Sequence, residues 1–221
     1  MSDETTSVAA DASDTSEAIV EATYRALCRH GYADLTMQDI ADESDKSKAS
    51  LHYHFNTKEE LLLAFLDHLY ESFTEEFGTT EGDHAVDRLV TFVDEILCQS
   101  DVEGAEEFQT ALLEIKAQGP YVEAYREELE RVDTFVRGRV REIVADGIAE
   151  ETIREDVDPD DIAEFVATIV DGVNTRRVSI GETDGSTRPV LVAYVRENLL
   201  APDADVDVEA DAVGALSEGD D

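Results

Sequence analysis

Apolar residues recur three and four positions apart along most of this chain, and no stretch alternates long enough to make a strand. The period predicts an all-α protein. The first stripe, Ile19, Ala22, Ala26 and Leu27, predicts a helix over 15–30 that Gly31 closes. Tyr32 and Leu35 follow as cover for a small three-helix domain. Leu61, Leu62, Phe65, Leu66, Leu69 and Phe73 predict one long helix over 58–77, broken at 78–82 by Gly-Thr-Thr-Glu-Gly. Further helices are expected over 85–98, 104–117, 121–146, 160–180 and 188–200. Gly119-Pro120 ends the second of these, and Asp158-Pro159 opens the fourth. Residues 1–14 and 201–221 are acidic without such a stripe and are expected to be disordered tails.

Between 36 and 57 the apolar period survives only in two short pieces. Ile40 and Ala41 give the first a small inward face, and Leu51 and Phe55 do so for the second. Thr36 with Asp39 makes a capping-box-like start, and Thr57 with Glu60 repeats it before the long helix. Ser44-Asp45 occupies the turn between the pieces, where Asp tolerates turn conformations. Two short helices crossing at so tight a turn form a helix-turn-helix, whose second helix enters the DNA major groove.

Charge sharpens this picture. With 54 acids in 221 residues, a window the length of 46–58 should hold about three, and it holds none. The chain has four lysines, Lys46, Lys48, Lys58 and Lys116, and three of them lie in that window with His52 and His54. A polyanionic partner requires carboxylates kept off the contact surface and cations, hydroxyls and amides brought to it. The competing explanation is a solvated helix that lacks acids by chance.

These residues resemble a known family. The run Gly31, Tyr32, Thr36, Ile40, Ala41, then 47–61 (SKASLHYHFNTKEEL), is similar to the DNA-binding domain of TetR-family transcriptional regulators, and Ile19 to Ala22 with Ala26-Leu27 fit that family's first helix. The resemblance covers 16 to about 66, and beyond that only length and helical character agree. Three departures stand out. Ser44-Asp45-Lys46 replaces the usual Ala-Gly-Val, Ala49 replaces Gly, and His52 stands where Tyr is commonest. Ala49 is still small enough for close backbone approach, and His52 keeps one hydrogen bond for a phosphate without the reach of a phenol. The resemblance implies a three-helix DNA-binding domain over 15–60 and a larger helical effector-binding and dimerisation domain over 61–200.

Double-stranded DNA is thus the expected partner, and Thr36, Lys46, Ser47, Lys48, Ser50, His52, Tyr53, His54 and Lys58 the expected contacts. Thr36 would offer its hydroxyl and nearby backbone N–H groups to a phosphate. Ser47 and Lys48 open the recognition helix, Ser50, Tyr53 and His54 line its outer surface, and Lys58 would pair with a phosphate. Arg25 and Arg29 share a face of the first helix, either touching phosphate from outside the groove or forming an ordinary surface pair. His52 and His54 are two apart on a helix, so they diverge and cannot chelate one metal. No cofactor is expected.

Composition adds the setting. The formal net charge of -37 and the preference for Arg over Lys suit a salt-adapted cytoplasmic protein, the alternative being an ordinary acidic protein that avoids nucleic acid. Bulk charge speaks to solubility rather than to fold, so the acid-free window outweighs it. Cys28 and Cys98 are far apart, no signal peptide is apparent, and Cys28 sits on the inward face of the first helix, which points to a reducing intracellular setting. No apolar run is long enough to span a membrane.

In the body, the Val- and Ile-rich helices at 160–180 and 188–200 either complete the monomer core or pack against a second copy as a four-helix bundle. The resemblance implies the homodimer, and two recognition helices about 34 Å apart read a palindrome where one reads few base pairs. Phe92, Phe108, Tyr121, Tyr125 and Phe135, with Gln109 and Gln118, fit a core better than a pocket, so the residues binding any small-molecule effector stay unassigned. The chain has no Gly-rich phosphate loop, Cys/His metal spacing or nucleophile elbow, so it is not expected to be an enzyme. The expected function is a homodimeric, effector-released repressor. The alternative is a helical protein-interaction module that has lost DNA binding, with Asp45 and His52 as signs of decay.

Overall fold

The computed structural model describes residues 4–44, 47–80, 82–97, 104–181 and 187–204. Within them the chain forms α1 (Glu4–Asp34), α2 (Met37–Asp42), α3 (Lys48–His54), α4 (Lys58–Phe77), α5 (Ala85–Leu97), α6 (Ala105–Lys116), α7 (Glu123–Ala149), α8 (Pro159–Ile180) and α9 (Thr187–Asn198). No strand occurs among the described residues, only an isolated bridge between Ile153 and Leu200. The all-α reading holds.

The first helix begins at Glu4, although a disordered acidic tail was expected up to residue 14. Once the apolar stripe from Ile19 has nucleated a helix, an alanine-rich stretch ahead of it extends at little cost. Its regular geometry breaks at Gly31, where φ is 69° and ψ is 173°. A left-handed φ at that point favours glycine, so the residue turns the chain as the sequence suggested. Residues 205–221 and Cys98 lie outside the described residues. Ala201, at the start of the other expected tail, is held in place, its N–H donating to the Thr152 carbonyl at 3.0 Å.

The described residues group into two compact units, one from within 1–76 and 100–132, the other from within 77–99 and 133–221. The grouping differs from the division at 60/61 expected from sequence. In the first unit Ile19, Ala22, Ala26 and Leu27 of α1 meet Ile40, Leu51, Leu61, Leu62 and Phe65, and Ala111, Ile115 and Tyr125 of α6 and α7 join the same core. A head of about fifty residues is marginal by itself, and α4, α6 and the start of α7 enlarge its core. Each fully buried Leu or Ile stabilises by roughly 1.5–3 kcal/mol, enough for the short α2 and α3 to stay helical despite their length.

In the second unit Leu89, Phe92 and Val93 of α5, Val140 and Val144 of α7, Val166 and Val170 of α8, and Leu191 and Val195 of α9 are buried. Helix α7 passes through Gly147 instead of stopping there. A Cβ at that position would sit 2.6 Å from Ile153 Cδ1 and 2.9 Å from Ala85 Cβ, so the glycine admits close neighbours instead of ending the helix. Asp158 caps α8 by accepting from Asp160 N–H at 2.9 Å, with Pro159 in the first turn. The Arg177 guanidinium donates to the Leu97 carbonyl at 2.8 Å and so closes α5. Helix α9 starts at Thr187, two residues before Pro189, which was expected to open it.

Candidate nucleic-acid interface

Helix α3 is short and owes its place to its caps and its anchors. Ser47 is the N-cap, its hydroxyl oxygen accepting the Ser50 N–H at 3.2 Å. Leu51 is fully buried and Phe55 nearly so, which fixes the inward side of the helix. The opposite side then faces solvent by the geometry of a 3.6-residue turn. Ser47, Lys48, Ala49, His52 and Tyr53 are exposed, and Ser50 and His54 are partly covered. Among the described residues Tyr53 is the most exposed large apolar side chain, at 86 %, its ring edge-on to His54 at 5.3 Å. Lys46 lies outside the described residues.

No carboxylate stands on α3, and two that flank it are engaged. Glu43, at the end of α2, forms an ion pair with Arg29, and its carbonyl accepts from Arg25 at 3.1 Å. The two arginines that share a face of α1 therefore grip the start of the turn. On the other side Glu60 accepts from the Asn56 N–H at 2.9 Å and its side-chain amide at 3.1 Å. Thr57 accepts the Glu60 N–H at 3.1 Å, so the second capping arrangement reaches back one residue further than expected.

Two expected contacts are placed differently. Thr36 caps α2 with a complete capping box: its N–H and hydroxyl both donate to Asp39 Oδ2, at 2.8 and 2.6 Å, and its oxygen accepts the Asp39 N–H at 3.3 Å. The Thr36 hydroxyl, and then its N–H, hold the Asp39 carboxyl below the usual range. Both donors of Thr36 are thus engaged within the protein, and a carboxylate stands beside the helix start. Lys58 donates to the carbonyls of Tyr32 and Leu35, at 3.1 and 3.0 Å, and lies 4.8 Å from the Tyr32 ring centre. A partly buried ammonium requires acceptors, and the last turn of α1 and the residue after it supply carbonyls that lack helical partners. Lys58 therefore serves as an internal tie, with two of its three donors spent.

What remains exposed is a basic and hydrogen-bonding surface centred on Lys48, His52 and Tyr53. An ammonium suits phosphate oxygens or the O6/N7 edge of guanine, while a phenol and an imidazole suit phosphate or base edges. Among the described residues no group of three or more His, Cys, Asp or Glu side chains is placed to hold a metal ion, and no helix is long and apolar enough to cross a membrane.

Of the body aromatics, most pack into the two cores and one does not. Phe92 and Tyr125 are buried, Phe108 packs at 4.8 Å on Tyr24, and Tyr121 is 85 % exposed. Between α5, α8 and α9 a cavity of about 10 Å³, lined by Leu89, Val93, Phe165, Val166, Leu191 and Tyr194, has room for a single water. The sequence offered no sign of three contacts that shape the head, those of Glu43 with Arg25 and with Arg29, and that of Glu114 with Tyr32. Their partners lie 14 to 82 residues apart, beyond any local pattern.

Comparison with known proteins agrees with this geometry. Residues 19–65 match the tetR family of bacterial regulatory proteins, and residues 85–188 match the C-terminal domain of BetI-type transcriptional repressors. The HTH-type transcriptional regulator TtgR of Pseudomonas putida is 35% identical over 79 residues, 36% of this chain and 38% of that regulator. The matched stretch thus spans little more than a third of that relative. A TetR transcription regulator from Haloarcula marismortui superposes with a TM-score of 0.78 at 39% identity, over 85% of this chain and 99% of its own. A TetR transcriptional regulator from Chloroflexus aurantiacus shares the fold at 23% identity, with a TM-score of 0.71 over 86% of this chain and 98% of its own. Caps, acid-free helix and whole-chain similarity together place the chain in the TetR family of transcriptional regulators.

Proposed function

We propose that the protein is a homodimeric repressor that lays α3 of each copy in successive major grooves of a palindromic operator and is released by a small-molecule effector. The observation that carries this is α3 itself, with Lys48, His52 and Tyr53 outward, Leu51 and Phe55 inward, and no carboxylate among its residues. In this reading residues 15–60 are the DNA-binding head, and 61–200 receive the effector and form the dimer. An effector in the body shifts α4 and with it the spacing of the two recognition helices.

The dimer is proposed through α8 and α9. Phe165, Ile180 and Val190 are exposed there, and Gly172 stands mid-helix with open space where a Cβ would go. A glycine inside a helix costs roughly 1 kcal/mol relative to alanine. Close approach of a second copy gives that cost a purpose. Gly172→Leu is expected to yield monomers in light scattering, and a variant that stays dimeric would remove α8 from the interface.

The net charge of -37 fits a salt-rich cytoplasm, where screening falls to roughly 3 Å and counterion release no longer drives binding. Affinity then comes from base contacts, fit and dehydration. The test is selection of duplexes from a random library by the purified protein in about 1 M KCl. Enrichment of one palindrome is expected. Failure to enrich any duplex, or binding confined to low salt, would overturn the proposal.

A further inference from the structure

Residues 31–35, between the kink in α1 and the cap of α2, are held from three directions at Tyr32. Its N–H donates to Glu114 Oε2 of α6 at 2.7 Å, a partly buried bond across 82 positions of sequence. Its carbonyl accepts from Lys58 at the start of α4. Its ring stands edge-on to that of Tyr125 of α7, centres 6.4 Å apart. The Glu114 carboxylate also lies where it closely abuts Gly31, since a Cβ there would be 3.1 Å from Glu114 Oε2. Tyr32 therefore joins helix α6 to the segment that leads directly into Thr36, the first residue of the helix-turn-helix.

We propose that Glu114 is a positioning residue for operator binding, fixing the entry to α2, and through α2 the aim of α3, by its bond to the Tyr32 N–H. A charge-assisted bond to a backbone donor suits this task because it is short and directional. Partial burial also shields it from the salt that would loosen an exposed ion pair. Two further features agree. Gly31 provides the left-handed turn that aims the Tyr32 N–H at α6, and its missing side chain leaves room for the carboxylate. Lys58 holds the carbonyl of the same residue, so the peptides on both sides of Tyr32 are restrained. The Glu114 carboxylate is spent on the Tyr32 N–H, so its effect passes through the orientation of the head.

The inference rests on the repressor reading above, and its test keeps the two apart. The probes are the duplex that the wild-type protein selects from a random library, the same duplex lengthened at its centre by one base pair, and a single half-site. For Glu114→Ala, affinity for the selected duplex is expected to fall roughly tenfold, the scale of one charge-assisted hydrogen bond. Half-site affinity stays at the wild-type value, and discrimination between the two spacings is lost. Glu114→Gln, which keeps an acceptor oxygen, restores most of the affinity and the discrimination. All are measured well below the melting temperature of each variant, with the dimer confirmed. Spacing discrimination equal to wild type in Glu114→Ala overturns the proposal, and so does an equal loss on half-site and palindrome. A wild-type protein that selects no duplex overturns the repressor reading and this joint with it.

Discussion

The Lys58 ammonium lies 4.8 Å from the centre of the Tyr32 ring and donates to the carbonyl of the same residue at 3.1 Å, so one cation joins the start of α4 to the end of α1. A second bond, to the Leu35 carbonyl at 3.0 Å, makes the tie bidentate. Lys58→Met keeps most of the apolar stem and removes the charge. It is expected to lower stability by about 1–3 kcal/mol, the cost of leaving partly buried carbonyls without a donor. Thermal unfolding checks this. An unchanged melt together with a salt slope of DNA binding shallower by about one would instead make Lys58 a phosphate contact.

Lys48 is exposed on α3, away from the buried side that Leu51 anchors. Lys48→Glu places a carboxylate on the surface that lacks one. Operator binding should be lost, with melting temperature and dimer nearly unchanged, because exposed substitutions typically alter stability by less than about 0.5 kcal/mol. Binding at the wild-type level in a mobility-shift assay would remove Lys48 from the interface.

Tyr125 is fully buried, and its hydroxyl finds no well-aligned hydrogen-bond partner among the described residues, with the Tyr32 ring as its polar neighbour. A desolvated and unpartnered polar atom costs about 1–3 kcal/mol. Tyr125→Phe keeps the edge-on packing with Tyr32 and removes that atom, so stability should rise by about 1 kcal/mol in denaturant titration. A loss of similar size would show that the hydroxyl is satisfied in solution.

Acid should weaken the fold at two identified carboxylates. The Thr36 hydroxyl and N–H hold Asp39 below its usual range, and Arg88, with help from the Ala85 N–H, does the same for Glu150. A carboxyl lowered in the folded state binds fewer protons there than in the unfolded chain, so stability rises with pH across the interval between its two values. The full contribution is present above the unfolded value, near pH 4, and fades as pH drops through the lower folded value. Asp39→Asn and Glu150→Gln should each flatten the acid side of the stability–pH curve. A curve of wild-type steepness in both would contradict the assigned bonds.

Much of the head was legible because its signals are local. The Thr36–Asp39 box, the Ser47 start of α3, the inward pair Leu51 and Phe55 and the glycine at 31 all act within a few residues of themselves, where spacing determines geometry. The same locality limits what spacing can say of Thr36 and Lys58. A threonine at a helix start reads equally as a cap and as a phosphate ligand until the rotamer of Asp39 is known, and Lys58 reads as a phosphate contact until the end of α1 comes to meet it.

The sequence alone determined that the chain is helical, where its short helices begin, and that one of them is kept clear of carboxylates, because capping, periodicity and charge placement are carried by near neighbours. Only the tertiary structure decided which cations are tied to other helices of the chain. Lys58, Arg25 and Arg29 are drawn onto acceptors in other helices, and Tyr32 is gripped by a carboxylate 82 positions away. Such pairings depend on how helices pack in space, and no spacing along the chain encodes them.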